Sequence, residues 1–250
     1  MTLNEQWDYE PARDLGLTHR QAMRSTLREP GIVGCVTTWL WWCVAGTYLK
    51  WRQRLEVRGA ERLPAEPPFV LVANHSSHFD ALVLGAAVPA RMRHQMFPIA
   101  AGDTFFQTPV TATMSALMLN ALPMWRRNCG AHALKVLRQR LADRRIGLIL
   151  FPEGTRSRDG QMGRFKAGIG MIVAGTDVPV VPCHIAGAHE SWPPDRRRPA
   201  RGRITVRIGE MMSFESAENR RRGWEHVAAD LEEAVRILCG PASPATQEEA

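Results

Sequence analysis

Seven short apolar runs, at residues 54–58, 69–73, 96–100, 122–125, 147–151, 178–185 and 204–208, are set apart by Pro, Gly and Asp. Between and after them lie stretches with helical spacing, near 77–87, 108–119, 131–143, 165–174 and 217–238. Runs this short, bounded by turn formers, read as strands. Strands alternating with helices predict an α/β domain built on a mixed, largely parallel sheet flanked by helices. A chain of 250 residues buries such a core without metals or disulfides. The five cysteines are scattered and never spaced as Cys-x-x-Cys, which indicates neither a disulfide framework nor a zinc knuckle and fits a reducing compartment. Residues 52–239 are expected to form the α/β domain, with a helical element at 1–51 before it and a disordered Ala/Pro/Glu tail at 240–250 after it.

The formal net charge is +7, which favours anionic partners. Nearly all of the positive charge is arginine, since Lys50, Lys135 and Lys166 are the lysines. The runs Arg196-Arg197-Arg198 and Arg220-Arg221-Arg222 read as solvated faces. No helix-turn-helix, aromatic RNA-binding signature or zinc-finger spacing is present, so nucleic acid is not an expected partner.

Residues 1–29 are polar and mixed in charge, unlike a secretory signal. Thr18 is placed to cap a helix running to about residue 29, and Pro30-Gly31 breaks it. From 31 to 49 no side chain is charged, and as a helix this run measures roughly 28 Å. Three arrangements fit: a helix dipping into or lying on one leaflet, a membrane span, and a buried helix. Trp39, Trp41 and Trp42 sit mid-segment, whereas spanning helices place tryptophan at their ends, so the first is favoured. The expectation is a two-helix membrane-associating element, monotopic or peripheral, on the cytoplasmic face.

Two polar constellations follow apolar runs. After 69–73 comes Asn74-His75-Ser76-Ser77-His78-Phe79-Asp80. On one continuous helix five residues rotate about 500°, which would point His75 and Asp80 apart. A turn at His75, with Ser76 or Ser77 capping the helix, removes that conflict. Asp80 then fixes the imidazole tautomer and leaves the other ring nitrogen to act as a base. A pair that merely satisfies a strand-to-helix turn has the same spacing, and His75, His78 and Asp80 also have the chemistry of metal ligands. No second His/Cys/Asp cluster completes a metal site, and there is no Gly-x-Ser-x-Gly elbow.

After 147–151 comes Pro152-Glu153-Gly154-Thr155-Arg156-Ser157. Glycine lets a ligand approach the backbone, and arginine presents a planar fork to phosphate. Gly163-Arg164-Phe165-Lys166-Ala167-Gly168 then opens a helix whose amino end suits an anion. Arg126 and Arg127, after 122–125, are further candidates for an anion contact.

These residues resemble the glycerolipid acyltransferase family. Asn74 to Asp80 matches its His-x4-Asp block, Phe151 to Ser157 its third block, and Val178-Pro179-Val180-Val181-Pro182 resembles the fourth. In the second block Asn120 stands where glycine is usual and Trp125 precedes Arg126, although the arginine is present. The resemblance covers residues 55–209. It implies His75 as base, Asp80 as its orienting partner, and Arg126, Glu153, Gly154, Thr155, Arg156 and Lys166 as acceptor-binding residues. It also implies membrane lipids as surroundings, a lysophospholipid acceptor, 1-acylglycerol-3-phosphate foremost, acyl-CoA or acyl carrier protein as donor, and no metal or other cofactor.

Overall fold

The computed structural model describes residues 14–22, 25, 32–101, 108, 113, 115, 116, 118–124, 131–142 and 146–240. A strand falls on each of the seven apolar runs, two of them ending one residue beyond it: β1 (Glu56–Arg58), β2 (Val70–Ala73), β3 (Met96–Ala101), β4 (Leu122–Met124), β5 (Gly147–Leu150), β6 (Val180–Ala186) and β7 (Thr205–Ile208). They form one sheet in the order β1-β7-β6-β2-β5-β3-β4. Neighbouring strands are parallel except β6 and β7, which pair antiparallel, so the sheet is mixed and mostly parallel as expected.

The described helices are α1 (His19–Ala22), α2 (Ile32–Arg52), α3 (Asp80–Ala87), α4 (Ala131–Ala142), α5 (Gly168–Val173), α6 (Ala188–Ser191) and α7 (Arg221–Cys239). Thr18 caps α1: its Oγ1 accepts the Gln21 N–H at 3.4 Å while Gln21 Oε1 accepts the Thr18 N–H at 2.9 Å. The helix expected as far as residue 29 is helical at 19–22 but not at Ser25; the rest of it and the Pro30-Gly31 break lie outside the described residues, as does the tail from 241. The helix expected at 108–119 is described only in part, and is helical at 113, 115, 116, 118 and 119.

Central strands read as unbroken apolar runs because both faces of the sheet are covered. Alternate residues of β2 serve different cores. Val70 and Val72 join α4 (Leu137, Leu141), α5 (Ile169, Ile172) and α7 (Leu231, Val235), whereas Leu71 and Ala73 join α3 (Val83, Leu84) and Leu49 of α2. Truncating a fully buried residue such as Leu71 to alanine costs about 2–5 kcal/mol by transfer and cavity terms.

The connections position the site. From β2 the chain passes through α3 to β3, beyond β5; from β5 it passes through α5 to β6, beyond β2. The two crossovers run in opposite directions, so α3 and α5 cover opposite faces. Between the carboxyl ends of β2 and β5 the departing loops part, and such a crevice is where open α/β sheets take ligands.

Helix α2 has two faces. Ala45 and Leu49 are buried against the domain, and the Trp42 ring fits against Gly85 of α3, where an added Cβ would come within 2.8 Å of it. The Arg93 guanidinium lies 4.7 Å from the centre of the same ring and donates to the Gly85, Ala86 and Val88 carbonyls, tying α2 to the end of α3. Ile32, Val36, Trp39, Leu40 and Val44 are exposed, with spacings of three and four residues that place them on one stripe. Among the described residues no helix is long and apolar enough to cross a membrane.

Candidate active site

Asn74 continues β2 with its side chain: Oδ1 accepts the Ile185 N–H at 2.8 Å and Nδ2 donates to the Ile185 carbonyl at 3.0 Å. This buried amide pairing on β6 ends the strand and leaves His75 at the turn. Helix α3 begins only at Asp80, so residues 75–79 curve back and bring the imidazole to the carboxylate. His75 Nδ1 is 2.8 Å from Asp80 Oδ2. The same oxygen accepts the N–H groups of Ser76 at 2.7 Å and Ser77 at 2.8 Å. Asp80 is fully buried, and these donors together with the first turn of α3 offset the cost of a charge there. A carboxylate facing Nδ1 keeps the proton on that nitrogen, which makes Nε2 the basic edge.

The His75 side chain is 23% exposed, enough for a substrate to reach it. Its ring stacks on Phe151, with centroids 4.2 Å apart and planes at 17°. Neither Ser76 nor Ser77 caps α3, contrary to expectation: Phe79 is the cap residue, with no side-chain cap bond. The Ser77 hydroxyl instead donates to the Trp192 carbonyl at 2.8 Å and accepts the Phe79 N–H at 3.1 Å. Trp192, just after α6, also packs its ring against His78 and Phe79, with centroids 4.8 and 4.9 Å away. No sequence signal pointed to it, because it lies more than a hundred residues along the chain in a segment without a motif.

The second constellation lies on the adjacent strand end, since Val72 of β2 is in register with Leu150 of β5. Glu153 joins the two. Its Oε1 accepts the His75 N–H at 2.8 Å and its Oε2 the Gly163 N–H at 3.1 Å. Glu153 was expected among the acceptor-binding groups; here both of its oxygens hold main chain. Burial pushes its carboxyl above the usual range, and the two N–H groups pull in the other direction. The Ser157 N–H donates to the His75 carbonyl at 2.8 Å, so residues 153–157 run directly beside His75.

Gly154 has φ +74°, and a Cβ there would lie 2.8 Å from Lys166 Nζ. Glycine therefore supplies both the left-handed turn and the room for that ammonium. Arg156 turns to His78: its Nη1 is 2.5 Å from His78 Nδ1, and His78 Nε2 is 3.3 Å from the Pro194 carbonyl. An arginine only donates, so Nδ1 is the acceptor and Nε2 carries the proton. Burial first, then the Arg156 charge, hold the His78 pKa below its usual value. Beside these groups is an open cleft of about 630 Å³, whose lining includes Thr155, Ser157, Arg158, Arg164 and Lys166. Arg158 and Arg164 were not singled out from the sequence as site residues. Among the described residues no three His, Cys, Asp or Glu side chains are grouped to hold a metal ion.

Arg126 and Arg127 lie outside the described residues. Asn120, the departure from the second block, has φ +55°, and its Nδ2 donates to the His94 and Met96 carbonyls at 2.9 and 3.0 Å. The position has left-handed backbone, which glycine adopts freely and asparagine more readily than most residues with a Cβ.

An imidazole oriented by a buried carboxylate thus stands next to a cleft whose lining carries Arg158, Arg164 and Lys166 beside Glu153 and Asp159. The acyltransferase family model matches residues 54–186, more than half of the chain, and the chain belongs to that family. It is 29% identical over 157 residues to 1-acyl-sn-glycerol-3-phosphate acyltransferase alpha of Bos taurus, covering 62% of this chain and 53% of that protein. It is 31% identical over 142 residues to the chloroplastic 1-acyl-sn-glycerol-3-phosphate acyltransferase BAT2 of Brassica napus, covering 56% of this chain and 39% of that one. The chain thus spans about half the length, or less, of these curated relatives. The crystal structure of the 1-acyl-sn-glycerophosphate (LPA) acyltransferase PlsC from Thermotoga maritima superposes with a TM-score of 0.63 at 23% identity, over 87% of this chain and 84% of that one. At that identity the match establishes the fold.

Proposed function

We propose that this protein transfers a fatty acyl group from acyl-CoA or acyl carrier protein to the free hydroxyl of a lysophospholipid, with 1-acyl-sn-glycerol 3-phosphate as the acceptor and phosphatidic acid as the product. The observation that carries this reading is the joining of the two constellations: the His75–Asp80 pair and the segment bearing Arg156 meet at neighbouring strand ends, linked by Glu153. The names of the relatives support the choice of acceptor.

In this reading His75 Nε2 removes the proton from the acceptor hydroxyl as its oxygen attacks the thioester carbonyl. The tetrahedral intermediate collapses with cleavage of the C–S bond, and the imidazolium returns its proton to the departing thiolate. An ester forms, a thioester is lost, and no acyl-enzyme is needed. Asp80 stabilises the transient imidazolium. Arg156 and the cleft cations hold the acceptor phosphate, with Arg126 as a further contact, and positioning of this kind contributes about 7–11 kcal/mol to lowering a barrier.

The exposed stripe of α2 supports a monotopic or peripheral placement on the cytoplasmic face of a membrane, with Lys50 and Arg52 in its last turn near anionic headgroups. The test is an acceptor panel with one radiolabelled acyl thioester. Labelled phosphatidic acid made from lysophosphatidic acid is the expected product; transfer to no lysophospholipid overturns the reading.

A further inference from the structure

Between Gly163 and Lys166 the main chain is held at three points. The Gly163 N–H donates to Glu153 Oε2 at 3.1 Å and the Lys166 N–H to the Pro152 carbonyl at 3.0 Å, both partners lying at the end of β5. The third anchor comes from elsewhere: the Phe165 N–H donates to Glu232 Oε2 at 2.8 Å, across 67 positions of sequence. Arg164 and Lys166, the cations this segment gives to the cleft, flank that bond. The Phe165 side chain is buried in the core, so its two neighbours are turned outward.

Glu232 is held ready for this bond. Its Oε1 accepts from Arg236 Nη2 at 2.8 Å, one turn along α7, which leaves Oε2 for Phe165. Burial works against its charge but is outweighed by the Phe165 N–H, by Arg236 and by Arg164, and its pKa lies below the usual value. Helix α7 is itself fixed against α5, because a Cβ at Gly170 would run into the Trp224 main chain. Residue 232 lies well beyond the segment that matches the family model, so nothing in the shared motifs assigns it a role.

From this geometry we infer that Glu232 is a positioning residue for the acceptor: by holding the Phe165 N–H, it sets the directions in which Arg164 and Lys166 meet the acceptor phosphate. The inference rests on the function proposed above. Its effect belongs to acceptor affinity, because the main chain it holds carries the cleft cations Arg164 and Lys166 and neither His75 nor Asp80.

The test compares Glu232→Ala, which removes the acceptor oxygen, with Glu232→Gln, which keeps one. Glu232→Ala should raise KM for lysophosphatidic acid roughly tenfold, with KM for acyl-CoA and kcat within about twofold. Glu232→Gln should restore most of the acceptor affinity. Amide hydrogen exchange over residues 161–168 should accelerate in the alanine variant and not in the glutamine variant. If KM rises equally for both substrates, or the acceptor KM does not change, the inference is overturned while the proposed function stands. If the unaltered protein acylates no lysophosphatidic acid, the proposed function falls and this inference with it.

Discussion

The carboxylate of Glu153 accepts the main-chain N–H of His75 at 2.8 Å, so the second motif holds in place the histidine supplied by the first. Glutamine has one acceptor oxygen where both carboxylate oxygens are used, and one of the N–H groups of His75 and Gly163 loses its partner in Glu153→Gln. For a donor in such a part-buried place the loss is about 1 kcal/mol. Both the thermal midpoint and kcat should therefore fall, and unfolding monitored beside initial rates checks this.

Replacing the proposed base should leave the fold and slow the chemistry. In His75→Ala, transfer should drop by about 10² to 10⁴ with an unchanged circular dichroism spectrum. Normal turnover in that variant would remove the base from the mechanism. Asp80→Asn should also lose kcat, because an amide no longer fixes the imidazole tautomer.

Arg156→Lys retains a charge but not a planar fork, and it disturbs the contact with His78. The acceptor KM should rise about tenfold with little change for the thioester donor. Equal kinetics in the two proteins would count against a phosphate contact at this position.

Acid should destabilise the protein through His184, a buried residue of β6 whose Nδ1 has no hydrogen-bond partner among the described residues. Burial, and secondarily the Arg207 charge, lower its pKa from 6.5 to about 4. The unfolded chain therefore takes up this proton first. The stability present above pH 6.5 is lost as pH falls through 4, amounting to about 3 kcal/mol in all. Urea midpoints between pH 7 and 4 should show this slope, and His184→Gln should flatten it.

The stripe on α2 should control membrane binding without touching the chemistry. Trp39→Glu with Val44→Glu places two carboxylates on that face. Sedimentation with anionic vesicles should fall sharply, while turnover of a short-chain, water-soluble acceptor is kept. Undiminished sedimentation would move the contact elsewhere.

Much of the fold was legible because β2, β5 and β6 are apolar on both faces, so the runs at 69–73, 147–151 and 178–185 mark them directly. The antiparallel setting of β7 was not, since the direction of a strand leaves no mark on its composition. The turn at His75 followed from the rotation of a helix, and it is present. The roles of Glu153, Trp192 and Glu232 were hidden because each acts through contacts with residues distant in sequence, which no local spacing encodes. Asn120 looked like a departure from the family pattern until its backbone handedness explained it.

The stack of His75 on Phe151 also limits how the reaction is approached. With one side of the imidazole blanketed by the phenyl ring and Nδ1 engaged by Asp80, the alcohol of the proposed reaction would have to arrive within the ring plane, along the bearing of Nε2. Widening that aromatic shelf to tryptophan or shrinking it to leucine would tilt the entry lane, and with it the choice among alcohols that differ only in where the hydroxyl sits on a glycerol backbone.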